Sequence, residues 1–135
     1  MRRYVFKYVP ESVGSRIINR PKVTIFLYSI QKEWRGFNVY VDSGADMSLF
    51  TRSDAEFLGL SLTQGEYRPI AGVGRVLVPA YVHAVKMKIG DSVLDAKAAF
   101  ADSDEVPRLL GRTDVFSHFK ITFAEQDLEI IFEAP

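Results

Sequence analysis

The stretch VYVDSGADMSLF, Val39 to Phe50, sets a carboxylate, Asp42, directly after an apolar β-like run and follows it with Ser43, Gly44 and Ala45. Asp, Ser and Gly all favour turns, so a plain surface turn is one reading. The other reading is chemical: a carboxylate presented rigidly from a short loop can act as a general base and take a proton from water. Gly44 permits a close backbone approach that a side chain would obstruct. The MSLF that follows is again apolar, which embeds the loop between two buried segments instead of in a polar surface tract. The chain does not repeat this turn, because Asp91-Ser92 is followed by Val93 and Asp102-Ser103 by Asp104.

Other residues with chemical potential carry less. IAGVGR, Ile70 to Arg75, has the glycines of a phosphate cradle, but the alternating segment after it supplies no helix N-terminus to receive an anion. Asp102, Asp104 and Glu105 are acidic neighbours, yet Pro107 and the LLGR after it do not continue a calcium-loop spacing; a solvated acidic turn is the better reading. His83 and His118 are far apart in sequence and have no third ligand in view, so they read as structural histidines and no metal site is expected. Trp34, in charged QKEWRG, fits either a partner surface or a hairpin aromatic folded onto its sheet.

The elements that must position Asp42 are mostly strands. Lys22 to Tyr28 (KVTIFLY) and Gly36 to Val41 (GFNVYV) are rich in β-branched and aromatic residues, and SIQKEWR between them suits a hairpin connection. TRSDAEFLGL, Thr51 to Leu60, changes period: Thr51 or Ser53 caps a short helix that turns Ala55, Leu58 and Phe57 inward and ends at Gly59. Val76 to Ile89 alternates, which predicts one long half-buried strand with Leu77, Tyr81, Val85, Met87 and Ile89 on one face and Lys86 and Lys88 on the other. Val93 to Phe100 predicts another strand and Thr113 to Phe119 a short helix. Lys120 to Phe123 with Leu128 to Phe132 predicts a final hairpin. Residues 1–20 mix charge, Pro, Gly and Ser and read as an N-terminal extension or edge strand; residues 21–135 form the main domain.

Composition limits the partners. The 135 residues are one domain by size. Seventeen basic and seventeen acidic residues cancel, so no general attraction to nucleic acid or anionic lipid is expected. The chain has no cysteine, which excludes disulfides, a thiol nucleophile and thiolate zinc sites. No apolar run approaches the ~18 residues of a membrane span, and the opening MRRYVFKYVPESVG is too short in apolar residues for a secretory leader. A cytoplasmic protein with neither nucleic acid nor membrane as partner is expected.

VDSGAD, Val41 to Asp46, together with PRLLGRTDVF, Pro107 to Phe116, resembles the paired signatures of the retropepsin-like aspartic proteases, and IAGVGR stands between them where that family has its glycine-rich flap. The resemblance runs from about Pro21 to Phe132. Ser43 stands where Thr is commoner, Arg75 where a small residue is more typical, and residues 1–20 have no counterpart in the shortest family members. The resemblance implies an all-β fold: a closed acid-protease barrel with one or two short helices, active as a symmetric homodimer. Since the chain offers one catalytic aspartate, Asp42, the second must come from another copy. By the same resemblance Ser43 and Gly44 support the dyad, and Gly44, Ala45, Asp46, Gly72, Val73 and Gly74 bind substrate. Arg112 is expected to pair with Asp46 or a nearby carboxylate, and no cofactor is needed. The implied function is an endopeptidase acting on extended peptides. A peptide-binding dimer that cleaves slowly or not at all is the alternative, and a structural β-domain with an accidental turn motif is a third.

Overall fold

Alternation in KVTIFLY and WRGFNVYV places Val23, Ile25, Leu27, Phe37, Val39 and Val41 on one side, and all six are buried. The computed structural model describes residues 1–135, the side chain of Val73 excepted. Its strands are β1 (Arg2–Lys7), β2 (Val9–Val13), β3 (Arg16–Arg20), β4 (Lys22–Tyr28), β5 (Trp34–Val41) and β6 (Ser48–Phe50). After the helix α1 (Arg52–Leu58) come β7 (Glu66–Tyr67), β8 (Ile70–Ala71), β9 (Leu77–Val78), β10 (Ala80–Ile89) and β11 (Ser92–Ala101). The chain ends with β12 (Leu109–Leu110), β13 (Lys120–Ala124) and β14 (Glu129–Ala134).

Strand β4 pairs antiparallel with β5 from Lys22↔Tyr40 to Tyr28↔Trp34. Lys32 turns the hairpin at φ 65°, and Trp34 folds onto the sheet with Tyr28 at 4.9 Å and the Lys88 ammonium 4.6 Å above its ring. The sheet then closes on itself in the order β4, β10, β11, β6, β12, β5 and back to β4. Closure leaves these strands without a free edge and encloses one interior. Phe50 fills its centre, stacked on Phe100 at 5.4 Å and edge-on to Phe37 at 5.5 Å. The all-β closed barrel is therefore the fold.

Three expected details change. Pro79 splits the expected Val76–Ile89 strand, and β10 reverses its buried face midway. Ala80 and Val82 belong to a small cluster with Leu49, Ala99 and Ala101, whereas Val85, Met87 and Ile89 enter the barrel interior. Tyr81 keeps to the face of Val85, Met87 and Ile89, because β10 runs along β11 in unbroken register, but it is only half-buried, and Leu77 lies beyond Pro79, exposed in β9. In α1, Ala55 and Leu58 are buried as expected, but Phe57 is 51% exposed, and Asp54 takes the inward place. Residues 113–119 form successive turns and no regular helix, because Asp114 adopts φ 66°, outside the helical region.

Outside the barrel, β1 lies along β14 from Arg2↔Ala134 to Lys7↔Glu129, and β14 also pairs with β13. Tyr8 enters the main core at 6% exposure, its amide bonded to Leu128 O at 2.8 Å. The β2–β3 hairpin is tied to β5 through the Tyr40 hydroxyl, which donates to Glu11 at 2.6 Å. Among the described residues no helix is long and apolar enough to cross a membrane.

Candidate active site

The end of β5 is clamped from both sides before the chain reaches Asp42. Val41 N donates to Pro21 O at 2.9 Å, Tyr40 N to Arg108 O at 3.0 Å and Asp42 N to Leu110 O at 3.0 Å. The chain then turns tightly: Gly44 N donates to Asp42 Oδ1 at 2.9 Å and Ala45 N to Asp42 O at 3.2 Å. A side chain at Gly44 would bring its Cβ within 3.3 Å of that same carboxylate oxygen. One oxygen of Asp42 is thus oriented by a backbone donor, and no donor among the described residues reaches Oδ2. Asp42 itself is half-buried, with exposed Ser43 and Gly44 beside it.

The segment LLGRT holds the far side of this loop. Arg112 N donates to Ala45 O at 2.9 Å, and Asp46 O accepts from both Thr113 N at 2.8 Å and Thr113 Oγ1 at 2.7 Å. Gly111 N donates to the buried Ser48 hydroxyl at 3.0 Å. At Gly111 a Cβ would stand 2.4 Å from the carbonyl of Met47, so only glycine lets the two chains cross here. The two motifs that stand apart in sequence are one interlocked backbone unit. Arg112 and Asp46 are both exposed and border a shallow cleft, and they form no ion pair among the described residues. Backbone bonds join their segments instead, and an exposed ion pair would add little to them.

A cleft of about 510 Å³ opens over Asp42. Gly44, Ala45 and Asp46 line its floor together with Asp42, and the opposite wall is Arg68, Pro69, Ile70 and Ala71. The β8–β9 hairpin rises from that wall, closed by Gly72 N to Val76 O at 2.8 Å. Gly74 and Arg75 take left-handed φ of 76° and 62° at its tip. Of the described residues lining the cleft, the hairpin supplies Ile70 and Ala71, while Gly72 and Gly74 stand beyond it. The expectation for the Val73 side chain lies outside the described residues.

Two residues that support the site went unrecognised in the sequence. Asp54 is 3% exposed and is bound by Arg108 through Nε to Oδ2 at 2.8 Å and Nη2 to Oδ1 at 3.0 Å. It also closes a capping box with Thr51, accepting from Thr51 N at 3.0 Å while Asp54 N donates to Thr51 Oγ1 at 3.1 Å. The hydrogen bond to Asp54 raises the Arg108 guanidinium above its ordinary pKa. TRSD carries the capping pattern, but nothing in the sequence names Arg108 as the partner. The acidic turn braces the start of α1, since Asp104 accepts from Ser53 N and Ser53 Oγ, both at 2.9 Å, and these bonds lower its carboxyl pKa. His83 Nε2 lies 2.9 Å from Leu62 O, and His118 packs edge-on against Phe119.

Residues 33–113 match the family model described as aspartyl protease. The chain belongs to the retropepsin-like aspartyl protease family. This family member is 30% identical over 95 residues to DNA damage-inducible protein 1 of Yarrowia lipolytica, which covers 67% of the chain. It spans only about a quarter, 24%, of that relative's length. Among solved structures, a retropepsin-like aspartic protease from Rickettsia conorii superposes with TM-score 0.65 at 19% identity, covering 97% of this chain and 98% of that one. The retroviral protease-like domain of Ddi1 from Leishmania major gives 0.57 at 15% identity, covering 79% and 82%. The EIAV protease complexed with the inhibitor HBY-793 gives 0.54 at 23% identity, covering 76% and 88%. These three likenesses are of fold.

Proposed function

We propose that this chain is an aspartic endopeptidase working as a symmetric homodimer, with Asp42 of each copy facing the other across a shared cleft. The observation that carries the reading is the geometry of Asp42: one oxygen held by Gly44 N, the other open to the cleft, on a loop braced by LLGRT. Two carboxylates brought within a few ångströms cannot both ionise easily, so the pair holds one proton and titrates as a unit. The ionised Asp42 takes a proton from a water as that water attacks the peptide carbonyl. The protonated Asp42 polarises the carbonyl oxygen, and a proton then passes to the departing nitrogen. Neither metal nor organic cofactor enters this scheme.

The remaining roles follow from which backbone groups are free to act. Asp46 O already accepts two hydrogen bonds and Gly44 N one carboxylate, so a peptide laid along the cleft meets Gly44 O and Asp46 N. Such contacts extend the peptide as an added strand. Ser43, exposed beside Asp42, bonds to the opposite loop in the dimer and locks the two carboxylates in position. Gly72, Val73 and Gly74 form a flap that closes over the bound peptide, using glycine's backbone freedom at the hinge and main-chain donors at the tip. Ala45 has no hydroxyl with which to stabilise the charged pair, which places the rate maximum on the acid to mildly acidic side.

Digestion of a mixed peptide library across pH, with Asp42→Asn as control, tests the reading. Cleavage is expected below neutrality and absent in the variant. Undiminished cleavage by pure Asp42→Asn protein, or a maximum above about pH 8, contradicts it. Peptide binding without cleavage in the wild type would favour the non-catalytic peptide-binding dimer.

A further inference from the structure

The cleft walls are largely apolar, with Met47, Leu49, Ile70 and Leu109, and its charges are Asp42 and Asp46 on the floor and Arg68 on the opposite wall. Arg68 is the only cation among the described residues lining it. Its backbone is fixed, since Arg68 N donates to Ala80 O at 2.8 Å and Pro69 follows. Its guanidinium is poorly matched. Nη1 stands 3.3 Å from the Met47 sulfur, a weak acceptor, and Nη2 stands 3.4 Å from Glu66 Oε2, in a pair exposed on both sides. A guanidinium carries five donors in a rigid fork suited to a carboxylate, and these two contacts use little of it. The Met47 contact draws the fork across the cleft toward the Asp42 loop, where a bound peptide must pass.

We propose that Arg68 is a specificity-determining residue that selects peptides carrying an Asp or Glu side chain on the segment passing the base of the β8–β9 hairpin. The proposal rests on the endopeptidase reading for its substrate class and adds a charge requirement to an otherwise apolar cleft. The incoming carboxylate displaces the thioether and takes the fork in a bidentate contact. Asp42 and Asp46 repel the same carboxylate from the floor, so the preference falls at one position on each side of the cleaved bond, one for the Arg68 of each copy, and not at all positions.

The test uses a peptide series with an apolar centre in which Glu or Gln is stepped through every other position. It is assayed at about pH 6, where Glu is ionised. Wild-type protein is expected to show a kcat/KM ratio of Glu to Gln peptide of ~5–10 at one position on either side of the cleaved bond, and added salt should shrink it. The ratio is expected near one in Arg68→Gln, below one in Arg68→Glu and partly kept in Arg68→Lys. Binding of the same peptides to Asp42→Asn protein, followed by fluorescence anisotropy, should repeat this order without cleavage. A ratio near one at every position in the wild type, or an unchanged ratio in Arg68→Glu, overturns the assignment, as does absence of both binding and cleavage. Charge-selective binding with no cleavage upholds Arg68 and sinks the endopeptidase reading; cleavage without charge preference does the reverse.

Discussion

Asp42 combines a backbone-held oxygen with an open one, and this division makes its substitution diagnostic. Asp42→Asn keeps the size of the side chain and an acceptor for Gly44 N, so thermal unfolding should change little while peptide cleavage falls by at least ~10²-fold. Tyr8 offers a separate check at the residue scale. Burial, with the hydrogen bond to Glu125 second, pushes its hydroxyl up to about 12 from 10.0. The raised value means that the neutral hydroxyl stabilises the fold fully below about pH 10, and that this contribution is lost as pH rises toward about 12. Wild-type stability should therefore fall relative to Tyr8→Phe across that window in urea titrations, and parallel curves would contradict the part-buried hydrogen bond to Glu125. The turn at Asp42 was legible in sequence because Asp-Ser-Gly between two apolar runs serves local backbone needs. Asp54 was not: apolar periodicity sends Phe57 inward, whereas the capping box and Arg108, far along the chain, turn Asp54 in and leave Phe57 half-covered by Phe37 and Arg35.

Elements transmit order to Asp42 through two narrow crossings. Gly111→Ala would push a Cβ into the Met47 carbonyl, and separating the chains should cost ~1–3 kcal/mol, measured by urea unfolding, with a larger fractional loss of cleavage. A stable and fully active Gly111→Ala protein would mean that the crossing is unimportant. Arg108→Met strands the buried Asp54 carboxylate beside Thr51. Breaking a fully buried pair costs ~3–5 kcal/mol, and since the Arg108 side chain is 42% exposed a loss of about 2 kcal/mol is expected. Strand positions read well where one face is buried throughout, as in β4 and β5. The alternation in β10 gave the face of Val85, Met87 and Ile89 but not the second buried face, because Ala80 and Val82 serve another cluster, and a pattern of apolar residues does not say which face meets which core. The Thr113–Phe119 segment kept its helical composition but not its helix, since Asp114 in the left-handed region lets its carboxylate accept from Lys97 N at 2.9 Å.

At the scale of the whole molecule, the closed barrel, the family match and the cleft agree, and the proposal that goes beyond them is the shared site. One chain supplies one loop of the Asp-Ser-Gly type, so on that proposal an active unit takes two chains. Sedimentation should find wild-type and Asp42→Asn proteins with the mass of two chains. The most direct measurement mixes the two proteins at constant total concentration, allows the subunits to exchange, and follows peptide cleavage per wild-type chain. If each site needs Asp42 from both copies, random pairing at equal parts should reduce that rate to about half, and further in proportion to the wild-type fraction. A rate per wild-type chain unmoved by any excess of the variant, in protein shown to exchange subunits or to be monomeric, would contradict the shared aspartate pair.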